Sequence, residues 1–394
     1  MSGMQESDRQ HLRRAIRLAM NGRGRVEPNP MVGCVIVKGK RIIGEGFHAE
    51  FGGAHAEPAA LANCSESPAG ATAYVTLEPC CHTNKKTPPC VPKLIEAKIG
   101  RVVVGSLDPN PEVNGKGIAM LREAGIAVDR ASEEIEAEAR QLIAPFIARA
   151  THRRPYITLK WAQTADGKIS GAGGTRVQIS NTAATYAVHQ LRSRSDAILV
   201  GVNTVLSDDP MLTAREVDRS RLQTRIVLDS QLRMPLQSKL AQTANEMPVE
   251  LYFTRDGFIS AGPERIKQLM ATGIHLIATD GDDDGRISIP KLLMRESFSE
   301  TTHLLVEPGP TLAQSFFDAG AADRVWIIRS PRDVNSPDAL DAPQLPARYV
   351  KSDEVNLDGD VIAEYLDRES DVFFSASASA DLVLTASTPS SASP

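Results

Sequence analysis

At 394 residues the chain exceeds what one hydrophobic core holds at roughly 150 residues per domain, so two folded units are expected. Its 42% apolar and 24% charged residues exclude a disordered chain and a coiled coil, and a net charge of −5 with only short basic runs, such as Arg13-Arg14 and Lys85-Lys86, excludes a general nucleic-acid binder. No stretch reaches the roughly 18 apolar residues of a membrane span, and Met1 to Gln10 is polar, which predicts a cytoplasmic protein without membrane contact.

In chain order, Asp8 to Met20 carries Leu12, Ile16, Ala19 and Met20 at helical spacing and predicts a surface helix capped by Ser7 or Asp8. Gly33 to Lys38 and Arg41 to Gly44 flank Lys38-Gly39-Lys40 and predict a hairpin. Strands over Ala73 to Leu77 and Arg101 to Gly105 alternate with helices over Pro92 to Lys98 and Gly117 to Ala124, the pattern of a layered α/β domain. After a charged helix around Glu133 to Gln141, the polar, proline-terminated run Thr151 to Pro155 marks a boundary, so the first domain is assigned to residues 1–150. A second α/β domain, residues 151–366, reads as strands Tyr156 to Lys160, Ala197 to Gly201, Arg225 to Asp229, Leu251 to Thr254, His303 to Glu307 and Arg324 to Ile328, with helices Asn181 to Arg194 and Thr311 to Ala319. Beyond about Tyr365 Ser and Ala dominate, and residues 367–394 predict a disordered tail.

Five cysteines are present, and Cys80, Cys81 and Cys90 cluster, which favours metal or catalytic chemistry over a disulfide framework. The sharpest motif is His55-Ala56-Glu57, followed by Pro79-Cys80 and then Cys90. Catalytic zinc takes three protein ligands and leaves one position for water, and one imidazole with two thiolates meets that count. A carboxylate two residues from the ligating histidine can stand over that water as the acid/base without binding metal, the arrangement known in zinc deaminases. A closed structural site of four protein ligands, the cluster Cys80, Cys81 and Cys90 with His82, is the competing reading.

These residues resemble the bifunctional deaminase-reductase of riboflavin biosynthesis. The likeness runs through Pro28-Asn29-Pro30-Met31-Val32-Gly33-Cys34, Gly52 to Glu57, Thr76-Leu77-Glu78-Pro79-Cys80, Thr87-Pro88-Pro89-Cys90 and Asp108-Pro109-Asn110-Pro111. It continues through Leu159-Lys160, Ala165-Asp166-Gly167-Lys168, Leu191-Arg192, Gly201 to Leu206, Asp208-Asp209-Pro210 and Gly309-Pro310-Thr311-Leu312. The resemblance implies an α/β protein with a cytidine-deaminase-like three-layer domain followed by a dihydrofolate-reductase-like α/β domain. It implies deamination of a diaminopyrimidinone carrying a 5-phosphoribosylamino group, and then NADPH-dependent reduction of the ribosyl group to ribityl.

By the same resemblance His55, Cys80 and Cys90 hold Zn2+, Glu57 is catalytic, and Asn29, His48, Lys86 and Asn110 contact substrate. In the second half Arg176, Arg192, Leu212, Arg215 and Glu307 meet substrate, with Arg192 and Arg215 suited to gripping its phosphate. Lys160, Ala162, Gln178, Thr204, Asp208, Ser230, Gly309, Pro310 and Thr311 meet the cofactor, Lys160 and Asp208 lying near the reacting ribose with Glu307. Independently of family, Glu307 to Ala313 reads as a strand end, a glycine and a helix start, a place for a phosphate.

Three departures stand out. The interval from Cys80 to Cys90 is one residue longer than the family pattern, Gln178 takes the place of a tryptophan, and Pro308 removes a backbone N–H from the loop after Glu307. They leave open a monofunctional zinc deaminase with a degenerate reductase domain. A base or nucleoside deaminase is a further alternative, against which the wide cysteine interval counts, as is a zinc-stabilised binding protein without catalysis. The expected partner is a small phosphorylated pyrimidine, with homo-oligomerisation left open.

Overall fold

The structure is a computed structural model that describes residues 5–82, 88–217, 223–370 and 372. The chain divides into two compact units, one running to His152 and one beginning at Arg153.

In the first unit, α1 (Glu6–Ala19) buries Leu12, Ala15, Ile16 and Ala19, the stripe its spacing dictates. Its N-cap is Gln5, not Ser7 or Asp8. Asp8 turns inward instead, 2% exposed, and accepts hydrogen bonds from Tyr74 Oη at 2.7 Å and from both Arg101 terminal nitrogens at 3.0 Å. A charged guanidinium and a buried phenol outcompete the helix's own first-turn N–H groups for that carboxylate.

Strands β1 (Gly33–Lys38) and β2 (Arg41–Phe47) form the expected hairpin. With β3 (Thr72–Leu77), β4 (Arg101–Ser106) and β5 (Ala127–Arg130) they make a sheet of order β2-β1-β3-β4-β5, antiparallel on the hairpin side and parallel across β3-β4-β5. Alternation along the strands assigns the two faces. Cys34, Ile36, Ala73, Val75, Val102 and Val104 pack with residues of α2 (Ala56–Ala62), α3 (Cys90–Glu96) and α4 (Lys116–Glu123). Helix α1 instead meets β1, β3 and α5 (Glu133–Leu142), giving three layers, and the short α6 (Ala144–Ile147) closes the unit.

The second unit is a nine-stranded sheet of order β10-β9-β8-β7-β11-β6-β12-β14-β13. It comprises β6 (Tyr156–Gln163), β7 (Ala197–Gly201), β8 (Thr224–Leu228), β9 (Val249–Thr254), β10 (His275–Thr279), β11 (His303–Val306), β12 (Arg324–Arg329), β13 (Tyr349–Leu357) and β14 (Asp360–Asp367). Pairing is parallel from β10 through β12, and antiparallel between β12 and β14 and within the terminal hairpin β13-β14. One face packs against α7 (Thr182–Ser193), α8 (Val202–Asp208), α9 (Lys239–Gln242) and Leu269 of α10 (Arg255–Ala271). The other packs against α11 (Ile289–Leu293), α12 (Glu296–Ser299) and α13 (Pro310–Asp318).

Four strands escaped the sequence reading. β5 and β10 are short and half-polar, with little alternation to read, and the β13-β14 hairpin falls in the last stretch of residues 151–366, where no strand was assigned, only Asp367 reaching into the expected tail. Asp367 closes β14, and its backbone N–H donates to Asp323 O at 3.2 Å, so the chain stays tied to the sheet past residue 366. The rest of the expected tail falls outside the described residues, apart from the turn at 368–370 and residue 372.

Asp8→Asn is expected to destabilise the first unit by about 1–3 kcal/mol at pH 7, because it removes a charge-assisted pair from a buried site. The Arg101 and Tyr74 hydrogen bonds outweigh burial and hold the Asp8 carboxyl below its ordinary 3.8. Its stabilisation is therefore complete above 3.8 and lost as pH falls through the folded value, so the gap between wild type and variant should narrow with acidification. Chemical denaturation at pH 7 and 3.5 reads this directly.

Candidate functional site

Helix α2 seats on β2 where Gly44 and Gly46 leave no side chain between them: a Cβ at Gly46 would stand 2.3 Å from Ala60 N, and one at Gly44 2.5 Å from Ala60 O. That contact fixes the helix start. His55 is its N-cap, in extended backbone, and Glu57 lies in its first turn, 3% exposed. Cys80 follows β3 through Glu78-Pro79, and Cys90 opens α3.

These three elements converge. His55 Nδ1 lies 3.6 Å from Cys80 Sγ and 3.3 Å from Cys90 Sγ, and the two sulfurs are 3.4 Å apart. Tetrahedral zinc with ordinary bond lengths separates such ligands by about 3.6 to 3.8 Å, so the triangle fits the ion with a slight expansion. Among the described residues the metal-type group consists of His55, Cys80 and Cys90, and neither Cys81 nor His82 joins it. The donor set is thus three, the count of an open site. The Cys90 N–H donates to Cys80 Sγ at 3.4 Å, and helix-start N–H groups of this kind favour a thiolate. Burial pushes the Glu57 carboxyl upward, with the Cys80 thiol adding to the effect.

His48 and Asn29 meet beside this group. Asn29 Nδ2 lies 3.1 Å from His48 Nε2, His48 Nδ1 lies 2.9 Å from Ala54 O, and the His48 and His55 rings are in edge contact at 5.4 Å. A neutral His48 with its proton on Nδ1 satisfies both bonds, donating to Ala54 and accepting from Asn29. Asn110 sits in the loop between β4 and α4, with its Oδ1 accepting from Glu112 N at 3.0 Å. Lys86 lies outside the described residues.

In the second unit a cavity of about 1170 Å³ opens at the carboxyl ends of the parallel strands, where open α/β sheets bind ligands. Lys160 and Ala162 come from β6, Thr204 and Asp208 from α8, Ser230 from beyond β8, and Glu307 from the end of β11. Gly309, Pro310 and Thr311 supply the cap and first turn of α13, and Arg176, Gln178, Arg192 and Arg215 complete the predicted set on the wall. Leu212 is the exception. It is 1% exposed and packs in the core with Leu191 and Val205, because a leucine on a tight loop with φ 50° gains more from burial than from a polar wall.

Arg192 also departs from expectation. Its Nε and Nη2 donate to the two Glu307 oxygens at 2.6 and 2.8 Å, and Nη1 donates to Thr213 O at 3.2 Å. The fork expected to grip a phosphate is occupied by a carboxylate. Burial alone would raise Glu307, but Arg192, then Lys160, pull its pKa down to about 2, so it is ionised at any working pH. Lys160 Nζ has no hydrogen-bond partner among the described residues, and burial lowers its pKa against the opposing pull of Glu307. Gln178 donates to Ser180 O at 2.8 Å and is exposed.

His189 and Arg233, also on this wall, were not anticipated. The helical spacing of Thr185, His189 and Arg192, which puts all three on one face of α7, was the available signal for the histidine.

Residues 5–106 match the cytidine and deoxycytidylate deaminase zinc-binding region, and residues 155–334 match the RibD C-terminal domain. The riboflavin biosynthesis protein RibD of Aquifex aeolicus is 40% identical over 329 residues, 84% of this chain and 88% of its own. The RibD of Actinobacillus pleuropneumoniae is 41% identical over 333 residues, 84% and 86%. The chain belongs to the RibD family. Among solved structures, Acinetobacter baumannii RibD superimposes with a TM-score of 0.76 at 32% identity, covering 92% of this chain and 99% of that one. The diaminohydroxyphosphoribosylaminopyrimidine deaminase/5-amino-6-(5-phosphoribosylamino)uracil reductase of Thermotoga maritima gives 0.76 at 32%, covering 91% and 98%. As a RibD-family protein the chain is a bifunctional enzyme of riboflavin biosynthesis, a zinc-dependent deaminase followed by an NADPH-dependent reductase. No helix among the described residues is long and apolar enough to cross a membrane.

Cys80→Ser is expected to lower zinc occupancy well below one per chain, since a hydroxyl is a poor substitute for a thiolate, whereas Cys81→Ser keeps full occupancy. Elemental analysis of protein purified without chelator distinguishes the two. Loss of metal in the Cys81 variant alone would assign the ligand to the other cysteine.

Proposed function

We propose that the first unit hydrolyses the exocyclic amine of 2,5-diamino-6-(5-phosphoribosylamino)pyrimidin-4(3H)-one, and that the second reduces the ribosyl group of the product to ribityl. The observation that carries the deaminase assignment is the His55, Cys80 and Cys90 triangle with Glu57 buried beside it. His55, Cys80 and Cys90 would hold zinc, which would supply the acidity that makes water nucleophilic near neutral pH. Glu57, two residues from a ligand and itself outside the set, accepts a proton from the attacking water and delivers it to the departing ammonia. Asn29, its amide oriented by His48, reads the edge of the pyrimidine, and Lys86 and Asn110 complete the substrate set.

In the second unit we assign Lys160 and the ionised Glu307 to the reacting ribose, where a lysine with no hydrogen-bond partner among the described residues, set beside a fixed carboxylate, can polarise and hold its hydroxyls. NADPH supplies the hydride. The start of α13 at Gly309, Pro310 and Thr311 faces its phosphates, while Ala162, Gln178, Thr204, Asp208 and Ser230 line the remainder of the cofactor side. Arg215, with no ion pair among the described residues, and Arg176 take the substrate phosphate, and Arg192 serves by holding Glu307. We place the enzyme in the cytoplasm, acting on a small molecule without nucleic acid, in keeping with its net charge of −5.

Incubating the purified enzyme with the phosphoribosylated diaminopyrimidinone, with and without NADPH, tests both halves by mass spectrometry, because deamination and reduction shift mass by different amounts. Absence of either shift removes that half of the assignment. Glu57→Gln should retain one zinc per chain and lose about 10²- to 10⁴-fold in deamination rate, the usual worth of a positioned acid/base. Near-normal turnover would assign the proton transfer elsewhere.

For the reductase, Gln178 and Pro308 each forgo one cofactor contact. That costs about 0.5 to 1.5 kcal/mol, so NADPH oxidation should persist with an apparent affinity weaker by about threefold to tenfold per contact than in a relative with tryptophan and a non-proline there. Stopped-flow absorbance over a range of NADPH concentrations, with deaminated substrate, measures this. No oxidation alongside active deamination would mark the second unit as non-catalytic.

A further inference from the structure

Glu78 stands immediately before the Pro79-Cys80 step, at the end of β3, and is 3% exposed. A buried carboxylate needs partners, and among the described residues those of Glu78 are backbone N–H groups. Oε2 accepts from Gly115 N at 2.9 Å and, at the long limit of 3.5 Å, from Asp108 N, while Oε1 accepts from Ile118 N at 3.2 Å. These N–H groups come from both ends of the loop that carries Asn110 and from the first turn of α4. The Glu78 N–H itself donates to Ser106 O at 2.9 Å, which ties the end of β3 to the end of β4 where that loop leaves the sheet.

The steric record agrees. A Cβ at Gly117 would stand 2.2 Å from Pro79 O and 3.2 Å from Glu78 Oε1, so the start of α4 is pressed directly onto the Glu78-Pro79 step. Inside the loop, Asn110 N donates to Asp108 Oδ1 at 2.8 Å, and the N–H groups of Val113 and Asn114 both donate to Asn110 O at 2.9 Å. Asn110 is therefore held within a short, hydrogen-bonded turn whose two ends are fastened to one carboxylate. Cys80 is secured differently, by Cys90 N and Val91 N donating to its carbonyl at 3.0 and 3.2 Å.

We infer that Glu78 is a positioning residue for deamination: it clamps the Asn110 loop to the segment that delivers Cys80, and so sets where substrate lies relative to the metal ligands. The inference rests on the deaminase reading of the first unit. Because the clamp acts on the loop and not on the ligands, its loss moves substrate binding and leaves the metal shell unchanged. In Glu78→Gln a single oxygen remains as acceptor, and the amide nitrogen presents N–H to backbone N–H at the other side, so one end of the loop is released.

The test uses the full-length enzyme in wild-type, Glu78→Gln, Asn110→Ala and doubly substituted forms. Each is measured for KM and kcat of deamination, for zinc content, for thermal unfolding and, after cobalt replaces zinc, for the visible absorption that reports ligand geometry. Glu78→Gln is expected to hold one metal per chain with an unchanged cobalt spectrum, to raise KM by about tenfold or more, and to shift kcat far less. The Asn110→Ala effect on KM should largely vanish in the Glu78→Gln background, since a released loop no longer presents that side chain.

Metal loss or an altered cobalt spectrum in Glu78→Gln would show that the carboxylate supports the ligand turn instead. A lowered unfolding temperature with KM unchanged, or fully additive effects of the two substitutions, would reduce it to a stability role. Each of these overturns the inference. Absence of deamination in the wild type would instead overturn the underlying functional reading.

Discussion

Helix α2 rests on strand β2 across Gly44 and Gly46, and the geometry of the metal ligands follows from that contact. Any side chain at either glycine would push the helix off the sheet by an ångström or more. His55 caps this helix and Glu57 occupies its first turn, so the imidazole and the carboxylate would move together. The two cysteines are placed by separate means, a strand end and another helix start, and their sulfurs would not follow. A zinc shell tolerates only a few tenths of an ångström in its bond lengths. Two absent methyl groups, neither of them near the chemistry in sequence, thus underlie a site made from residues 55, 57, 80 and 90.

The second unit rests on a different constraint. Its sheet is parallel across seven strands, so the strand ends at one edge converge, and the cavity collects one or two residues from each of several crossovers. Charge is the organising principle there. Glu307 survives as an anion in a site that would otherwise neutralise it because Arg192 holds it with two parallel hydrogen bonds. The pair lets the pocket keep an acidic group of fixed charge beside Lys160, which has no hydrogen-bond partner among the described residues.

Much of this was legible in the sequence wherever chemistry forces a local pattern. His55-Ala56-Glu57 and Pro79-Cys80 announce themselves because ligand and proton carrier must ride on one helix turn, and the α/β class is evident from strands and helices that alternate along the chain. What escaped depends on partners far apart in the chain. Arg192 and Glu307 are separated by 115 residues, and nothing near either signals that the guanidinium is already engaged. Asp8 looked like a helix cap because its offset from the first apolar residue is right for one, yet Arg101, 93 residues on, claims it. Leu212 was placed on the substrate by likeness alone, and no local pattern distinguishes a wall residue from a core residue on an irregular loop. Glu78 sat inside a recognised run without a role, since its hydrogen bonds go to backbone N–H groups that have no signature in a sequence.

The strand order of the second unit bears on how the polypeptide assembles as it is made. β6 is the first strand of that unit to be synthesised, yet it ends up between β11 and β12. Thr158 on β6 contacts His303 and Arg324, 145 and 166 residues downstream. Neither neighbour exists until most of the unit has left the ribosome, so β6 must wait as an unpaired apolar strand while β7, β8 and β9 can already form a partial sheet. Such distant closure makes folding slow and leaves strand edges exposed to other chains in the interval. The first unit lacks this delay, because the hairpin β1-β2 and the addition of β3 draw on neighbouring segments. Yield in a recombinant host should accordingly be governed by translation speed and chaperone supply through the second half of the chain.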